Sequence, residues 1–427
     1  MTRLSRRQFT GLMGAGAALA LAPGFTRHVY GQGRPRVVVI GGGAGGATAA
    51  RYLAMESKGA IDVVLVEPNK QFTTCFFSNL YVGGFRDFAS ITHGYDKLAA
   101  MDGVTVAHAM ASGIDRGAKS VTLSDGQTLT YDKLVVSPGI DLKWDSVPGY
   151  SEAAAEQMPH AWKAGAQTQL LREKLDAVKD GENVVMIAPP NPYRCPPGPY
   201  ERVSMMAHQL KSTGRTKSKI IVLDPKENFS KQGLFTEGWE KHYPGMVEWL
   251  AASVHGGVKS VDPATGTVET DLDTFRGALV NVIPAQSAGR IAIDAGLAAD
   301  SGFCAIEPGT MQSKVDQDIY VLGDACIAGD MPKSAFSANS QAKVAVNHIR
   351  GELTGSRVFP ARYNNTCWSL IETDDGVKVG AAYDATPEKI ASTSTFISQT
   401  GEDAALRKAT YEESIGWYSG IVADMFG

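Results

Sequence analysis

The chain has 427 residues, of which 44% are hydrophobic and 20% charged, and a formal net charge of −4. That length predicts two or three domains rather than one small core, and the composition excludes extensive disorder. The slightly acidic balance gives no surface for nucleic acid.

The first element in chain order is not part of the fold. "SRRQFTGLMGAGAALALAPG" sets Arg6 and Arg7 before an apolar run from Gly11 and a small-residue pattern, Ala20-Leu21-Ala22. This pattern predicts a twin-arginine export signal cleaved near Ala22; the run is shorter than the roughly 20 apolar residues of a membrane anchor. Export by this route implies a periplasmic protein that folds around its cofactor before leaving the cytoplasm. Loss of residues 1–22, with Arg3, Arg6 and Arg7 and no acid, moves the formal charge from −4 to about −7. No later segment reaches transmembrane length, so the expectation is a soluble exported protein.

Next comes "RPRVVVIGGGAGGATAARYLAM", a buried strand turning into a helix through Gly41-x-Gly43-Ala44-x-Gly46. A second strand, "IDVVLVEP", carries Glu67 at its end, about 20 residues past the last glycine. Glycines let the backbone approach a pyrophosphate, the helix start offers it N–H groups, and the acid meets a ribose. Further on, "LTYDKLVVSPG" closes at Gly139, and "QDIYVLGDACIAGDMPKSAFSANSQAKVAVNHI" holds a strand ending at Gly323-Asp324 before a helix. These two segments resemble the "YDxLVxAxG" and "GD" segments of the flavoprotein disulfide reductases. The resemblance implies FAD at the first site, with Asp324 on the ribityl chain. It also implies the glutathione-reductase-like fold class: α/β, two tandem Rossmann-like dinucleotide-binding domains and a small C-terminal α+β domain. The expected boundaries are 35–147 with 283–358 for the FAD domain, 148–282 for the second domain, and 359–427 for the last; 1–34 is signal and linker.

The second βα unit breaks the pattern. The strand "NVVMIA" and the helix "YERVSMMAHQLK" are joined by a loop with six prolines and Tyr193-Arg194-Cys195 where a glycine cradle would stand, and a further strand, "SKIIVLDP", follows. Proline fixes φ and withholds N–H donors, and the bulky side chains block a pyrophosphate. The electron donor is therefore expected to be something other than a nicotinamide.

The five cysteines, Cys75, Cys195, Cys304, Cys326 and Cys367, are far apart and form neither CxxC nor CxxCH. This pattern argues against zinc and against covalent haem in this chain; a disulfide between distant cysteines is permitted in an oxidising compartment. Cys75 lies eight positions after Glu67, in the loop returning over the flavin, and position 80, where a disulfide reductase has its partner, is Leu80. Cys304 and Cys326 are expected as small buried hydrophobes. The histidines have no ligand-like spacing.

Together, "TTCFFSNLYVGG", "NPYRCPPGPYERVSMMAHQLK", "GDACIAGDMPKSAFSANSQAK", "NNTCWSLI" and "GWYSGIVADMFG" resemble the flavoprotein subunits of flavocytochrome c sulfide dehydrogenases, relatives of the sulfide:quinone oxidoreductases, over nearly the whole chain. The resemblance implies that Cys75 carries FAD covalently and that Cys195 and Cys367 form a redox disulfide beside the flavin. It further implies that Glu201 moves protons there and that electrons pass from sulfide to a c-type cytochrome partner. The start of the helix after Cys195 is expected to favour its thiolate. Blander readings stay open: a buried thiol at Cys75, a static disulfide, and a Glu201 that merely complements the helix dipole. Two alternative functions also stay open. One is a sulfide:quinone oxidoreductase, which needs a quinone pocket and usually an apolar tail, against which the short mixed ending counts. The other is a catalytically silent flavin-binding subunit.

Overall fold

The computed structural model describes residues 33–427; the export-signal reading falls outside them. Val37, Val38 and Val39 are fully buried because their strand, Arg36–Ile40, is the middle of a five-stranded parallel sheet. Strand order is Ile319–Val321, Lys133–Val136, Arg36–Ile40, Asp62–Val66, Val104–Ala107, with Val37 in register with both Val63 and Lys133. A sheet covered on both faces explains the unbroken β-branched runs, each such side chain contributing about 1.5–3 kcal/mol relative to exposure. The helices Gly46–Ser57 and Ala335–Thr354 pack against one another on this module.

"NVVMI" and "KIIVL" deliver a second parallel sheet, ordered Val247–Leu250, Ile220–Leu223, Val184–Ile187, Leu279–Val282. Its core joins Val184, Met186 and Val222 to Leu210, Phe235 and Tyr243 from the covering helices. The chain passes between the two sheets at Ile140–Leu142 and Gln286–Ala288, which pair antiparallel. Two tandem dinucleotide folds are thus present, the second without its glycine loop.

The remaining chain forms three antiparallel strands, Arg362–Glu372, Asp375–Ala385 and Ile390–Ile397, then the helix Ala404–Phe426. The first of these strands packs on the helix Ala335–Thr354 of one module and on Gly198–Ser212 of the other. That position brings Cys367 to the junction of the two folds. Among the described residues no helix is long and apolar enough to cross a membrane.

Candidate active site

One cavity at this junction collects almost every residue singled out in the sequence. Gly41, Gly43, Ala44, Glu67, Cys75, Gly139, Cys195, Glu201, Gly323, Asp324 and Cys367 all line it. Gly46 is the exception, and its role is packing: a Cβ there would overlap the carbonyl oxygen of Gly41, so only glycine lets the helix sit this close to the strand. Gly41 itself has φ +96°, a conformation natural only to glycine. Glu67 accepts hydrogen bonds from Gly42 N at 2.9 Å and from the backbone and side-chain nitrogens of Asn69. It thereby ties the glycine turn to the second strand while staying on the cavity wall.

Across the cavity, Asp324 Oδ2 accepts from Arg194 Nε at 2.6 Å, while its buried Oδ1 has no partner. Gly139, at φ +70°, lies where a Cβ would come within 2.9 Å of an Arg194 terminal nitrogen. The helix Ala335–Thr354 begins here, capped by Ser334 Oγ, which accepts from Ser337 N. Cys75 opens a short 3-10 turn, and its carbonyl accepts from Ser78 Oγ at 2.7 Å. Burial raises its thiol pKa, and the Arg194 guanidinium pulls the other way.

The proline loop turns inward instead of forming a cradle. Cys195 adopts φ +58°, held by Cys195 N donating to the Lys333 carbonyl at 2.7 Å and Gly198 N donating to the Cys195 carbonyl at 2.8 Å. The N–H at the start of the helix Gly198–Ser212 is therefore satisfied by the cysteine's carbonyl and not its sulfur. The expectation of a favoured thiolate at Cys195 is corrected accordingly. Burial, then the like charges of Cys367 and Glu201, push this thiol well above its ordinary value. All five cysteines are free thiols in this structure, and Cys195 and Cys367, the pair implied by the resemblance, line the same cavity. Cys304 and Cys326 are buried opposite one another on a short parallel strand pair.

Glu201, on the first turn of that helix, is 7% exposed. Its carboxylate accepts from Leu370 N at 2.9 Å and from Asn79 Nδ2 at 2.8 Å, so it spans the two modules and does more than face its own helix. Burial raises its pKa; Asn79, Leu370, Lys231 and Arg202 moderate the rise. Asn79 in turn accepts from Arg202 Nε at 3.0 Å, and Arg202 also donates to the carbonyls of His160 and Ala161. Arg194, Asn79 and Arg202 are site residues that no sequence motif flagged by role; all three stand inside quoted segments, whereas Lys231 has no local signal at all.

The second nucleotide position is filled by protein. Asp224, at the end of the strand Ile220–Leu223, is fully buried. It accepts from Tyr200 Oη at 2.6 Å and Trp249 Nε1 at 3.0 Å and pairs with Lys226 Nζ at 2.6 Å, while Tyr200 stacks on Phe229 at 3.7 Å. Asp224 is thus engaged by three side chains and turned away from a second ribose.

The first cavity does fit FAD. It combines the glycine turn with three buried polar atoms that lack a protein partner, Asp324 Oδ1, Trp162 Nε1 and Trp368 Nε1, all on lining residues. Such atoms require a ligand to complete their hydrogen bonding. Fold and cavity together define a flavoprotein with two dinucleotide folds, and residues 35–187 match the pyridine nucleotide-disulphide oxidoreductase family. Residues 168–284 match the central part of the sulfide dehydrogenase [flavocytochrome c] flavoprotein chain, and residues 360–426 match the flavin-binding part of flavocytochrome c sulphide dehydrogenase. The sulfide dehydrogenase flavoprotein chain of Chlorobaculum thiosulfatiphilum is 55% identical over 47 residues, 11% of this chain and 96% of that sequence. The chain belongs to this family of flavocytochrome c sulfide dehydrogenase flavoproteins. The mitochondrial sulfide:quinone oxidoreductase of Dictyostelium discoideum is 23% identical over 326 residues, 74% of this chain and 70% of that one. The crystal structure of the Aquifex aeolicus sulfide:quinone oxidoreductase shares the fold, with a TM-score of 0.66 at 18% identity over 90% of this chain and 91% of that one.

Proposed function

We propose that this protein is a periplasmic sulfide dehydrogenase flavoprotein, exported by the twin-arginine route, that oxidises sulfide through a Cys195–Cys367 disulfide and passes electrons to a c-type cytochrome. The observation that carries the reading is the meeting of Cys195 and Cys367, from two distant elements, in the same cavity as the glycine turn and Asp324. Hydrosulfide opens the disulfide, leaving a persulfide on one cysteine and a thiolate on the other. Glu201, buried and with a raised pKa, takes the proton released at the sulfur. Bound FAD would supply a two-electron acceptor beside the cysteines and one-electron chemistry toward the cytochrome. Gly41, Gly43, Ala44 and Glu67 would hold its pyrophosphate and ribose, Gly323 and Asp324 its ribityl chain, and Cys75 would carry it covalently. With no CxxCH in this chain, the haem belongs to a partner subunit or a soluble cytochrome.

The test is flavin reduction in folded Cys195→Ser and Cys367→Ser proteins. Bleaching by sulfide should be nearly abolished in both, while reduction by dithionite, which bypasses the cysteines, survives. A disulfide that merely stabilises predicts the reverse: a few kcal/mol of lost stability with turnover per folded molecule kept. Copurification from the native host with haem staining tests the partner. Activity with a soluble quinone and none with cytochrome c would move the acceptor to the quinone class.

A further inference from the structure

Lys231 is buried beneath the sulfur site and belongs to no motif. It precedes the helix Gln232–His242 in a left-handed conformation, φ +62°, and is 5% exposed. Its ammonium donates to the Cys367 carbonyl at 3.1 Å and to Ser369 Oγ at 2.8 Å. Both acceptors are neutral, so the charge is held in place without being cancelled, an arrangement that costs free energy unless a negative group appears beside it. The charges that act on Lys231 are those of Cys367, then Glu201 and Cys195.

A second arrangement points to the same sulfur. Asn365 Nδ2 donates to Cys367 Sγ at 3.5 Å, and Ser334 Oγ donates to Asn365 Oδ1 at 2.5 Å. In the thiol state Cys367 Sγ also donates to Asn365 Oδ1 at 3.9 Å, and the serine holds that oxygen so that Nδ2 remains the closer donor to the sulfur. Cys195 differs: its backbone is anchored at both ends, but its sulfur faces the like charges of Cys367, Glu201 and Cys75, opposed by Lys231. Beyond those groups, Tyr383 faces Cys367 from the neighbouring strand, Tyr193 faces Cys195 from its own loop, and Arg194 and Arg202 sense Cys195.

We propose that Lys231, with Asn365, is a positioning residue that makes Cys367 the sulfur released as thiolate when the disulfide opens, and so directs the incoming sulfur to Cys195. The inference rests on the Cys195–Cys367 pair acting as proposed above. The step balances without another reagent: a lone pair of hydrosulfide forms a bond to Cys195 Sγ, the Cys195–Cys367 bond breaks, and its electron pair stays on Cys367 Sγ. One sulfur–sulfur bond is exchanged for another. Burial pushes the Lys231 pKa down to about 8, so its help is present below that pH and is lost above it.

The test uses oxidised, flavin-loaded protein opened with one equivalent of sulfide, alkylated at once and mapped by peptide mass spectrometry. Wild type should carry the alkylated persulfide on Cys195 and an alkylated thiol on Cys367; the persulfide on Cys367 would overturn the proposal. Lys231→Met should slow opening about threefold at pH 7, the fractional response of exchange rate to roughly one unit in thiol acidity, and should abolish the decline in rate per hydrosulfide above about pH 8. Asn365→Ala should slow it by a smaller factor and keep that decline. A Lys231→Met protein that retains the wild-type pH profile removes Lys231 from the step. Should it fail to fold, the position of the sulfur in wild type decides alone. Protein with no Cys195–Cys367 disulfide after oxidation ends the functional reading as well, whereas a disulfide that sulfide opens toward Cys367 ends only this inference.

Discussion

Replacing Arg194 by Met strips the Asp324 carboxylate of the one side-chain partner it has among the described residues, the 2.6 Å bond from Nε. The two side chains are 16% and 11% exposed, and Asp324 Oδ1 is already unpartnered. Breaking a buried pair from one side leaves an uncompensated charge and costs about 3–5 kcal/mol, and Arg194 also gives up its bond to the Trp162 carbonyl. For a unit this large, about 2–4 °C of melting temperature is lost per kcal/mol, with long chains at the low end. The expected drop is therefore roughly 5–10 °C. Asp324→Asn in the same chain removes the stranded charge and should recover part of it, giving a coupling of about 2 kcal/mol in a double-mutant cycle. Thermal melts of wild type, both single variants and the double variant, each with its flavin content measured, make the assay. Arg194→Met melting within about 1 °C of wild type, or a cycle that sums to zero, would refute the account of this pair.

Three other outcomes are expected. Denatured protein should keep its yellow colour on a gel and Cys75→Ser should release it; free FAD recovered in full from acid-precipitated wild type would exclude the covalent bond. Neither NADH nor NADPH should reduce the flavin at useful rates, because Asp224 is fully engaged by Tyr200, Trp249 and Lys226, and rapid bleaching by NADPH in a spectrophotometer would contradict this. Glu201 has a raised folded-state pKa, so it binds its proton more tightly in the native state and costs the wild type stability as pH rises from about 4.3 through that value. The stability of Glu201→Gln relative to wild type should thus improve between urea titrations at pH 5 and pH 7.5, while its sulfide turnover falls; a constant difference would show that Glu201 does not titrate as a buried acid.

Residues whose chemistry is rare and whose motif is local were legible in the sequence. The glycine turn announces itself by type and spacing, Asp324 and three of the cysteines were marked by the resemblance of their local segments, and all of these share a cavity. What stayed hidden depends on burial and on contacts between distant segments. The thiolate expected at Cys195 followed from the helix start that the sequence shows, whereas the burial that reverses it comes from packing. Lys231 meets Cys367 across 136 positions, and Asn79 meets Glu201 across 122. The terminal "GWYSGIVADMFG", short and mixed as a string, is the end of a 23-residue helix whose Trp417 lines the cavity. Its pattern is mixed because one face meets the protein and the other does not.

The same contrast explains why the second dinucleotide fold presents a cysteine loop where a glycine cradle would stand. In a dinucleotide fold the acid that ends the second strand faces outward to a ribose. Asp224 occupies that place but is turned into the core, neutralised by Lys226 and covered by the Tyr200–Phe229 stack. The loop above it is closed by prolines that donate no N–H, and its one reactive side chain points to the other module's cavity. The two changes are coupled through Tyr200, which sits on the helix that follows Cys195 and bonds Asp224. Glycines restored to the loop alone would thus meet an acid already occupied, and freeing Asp224 alone would leave a buried carboxylate beneath a loop unable to bind phosphate. No single substitution makes this a nicotinamide site, because the residue that closes the ribose position also lies on the helix that follows the cysteine.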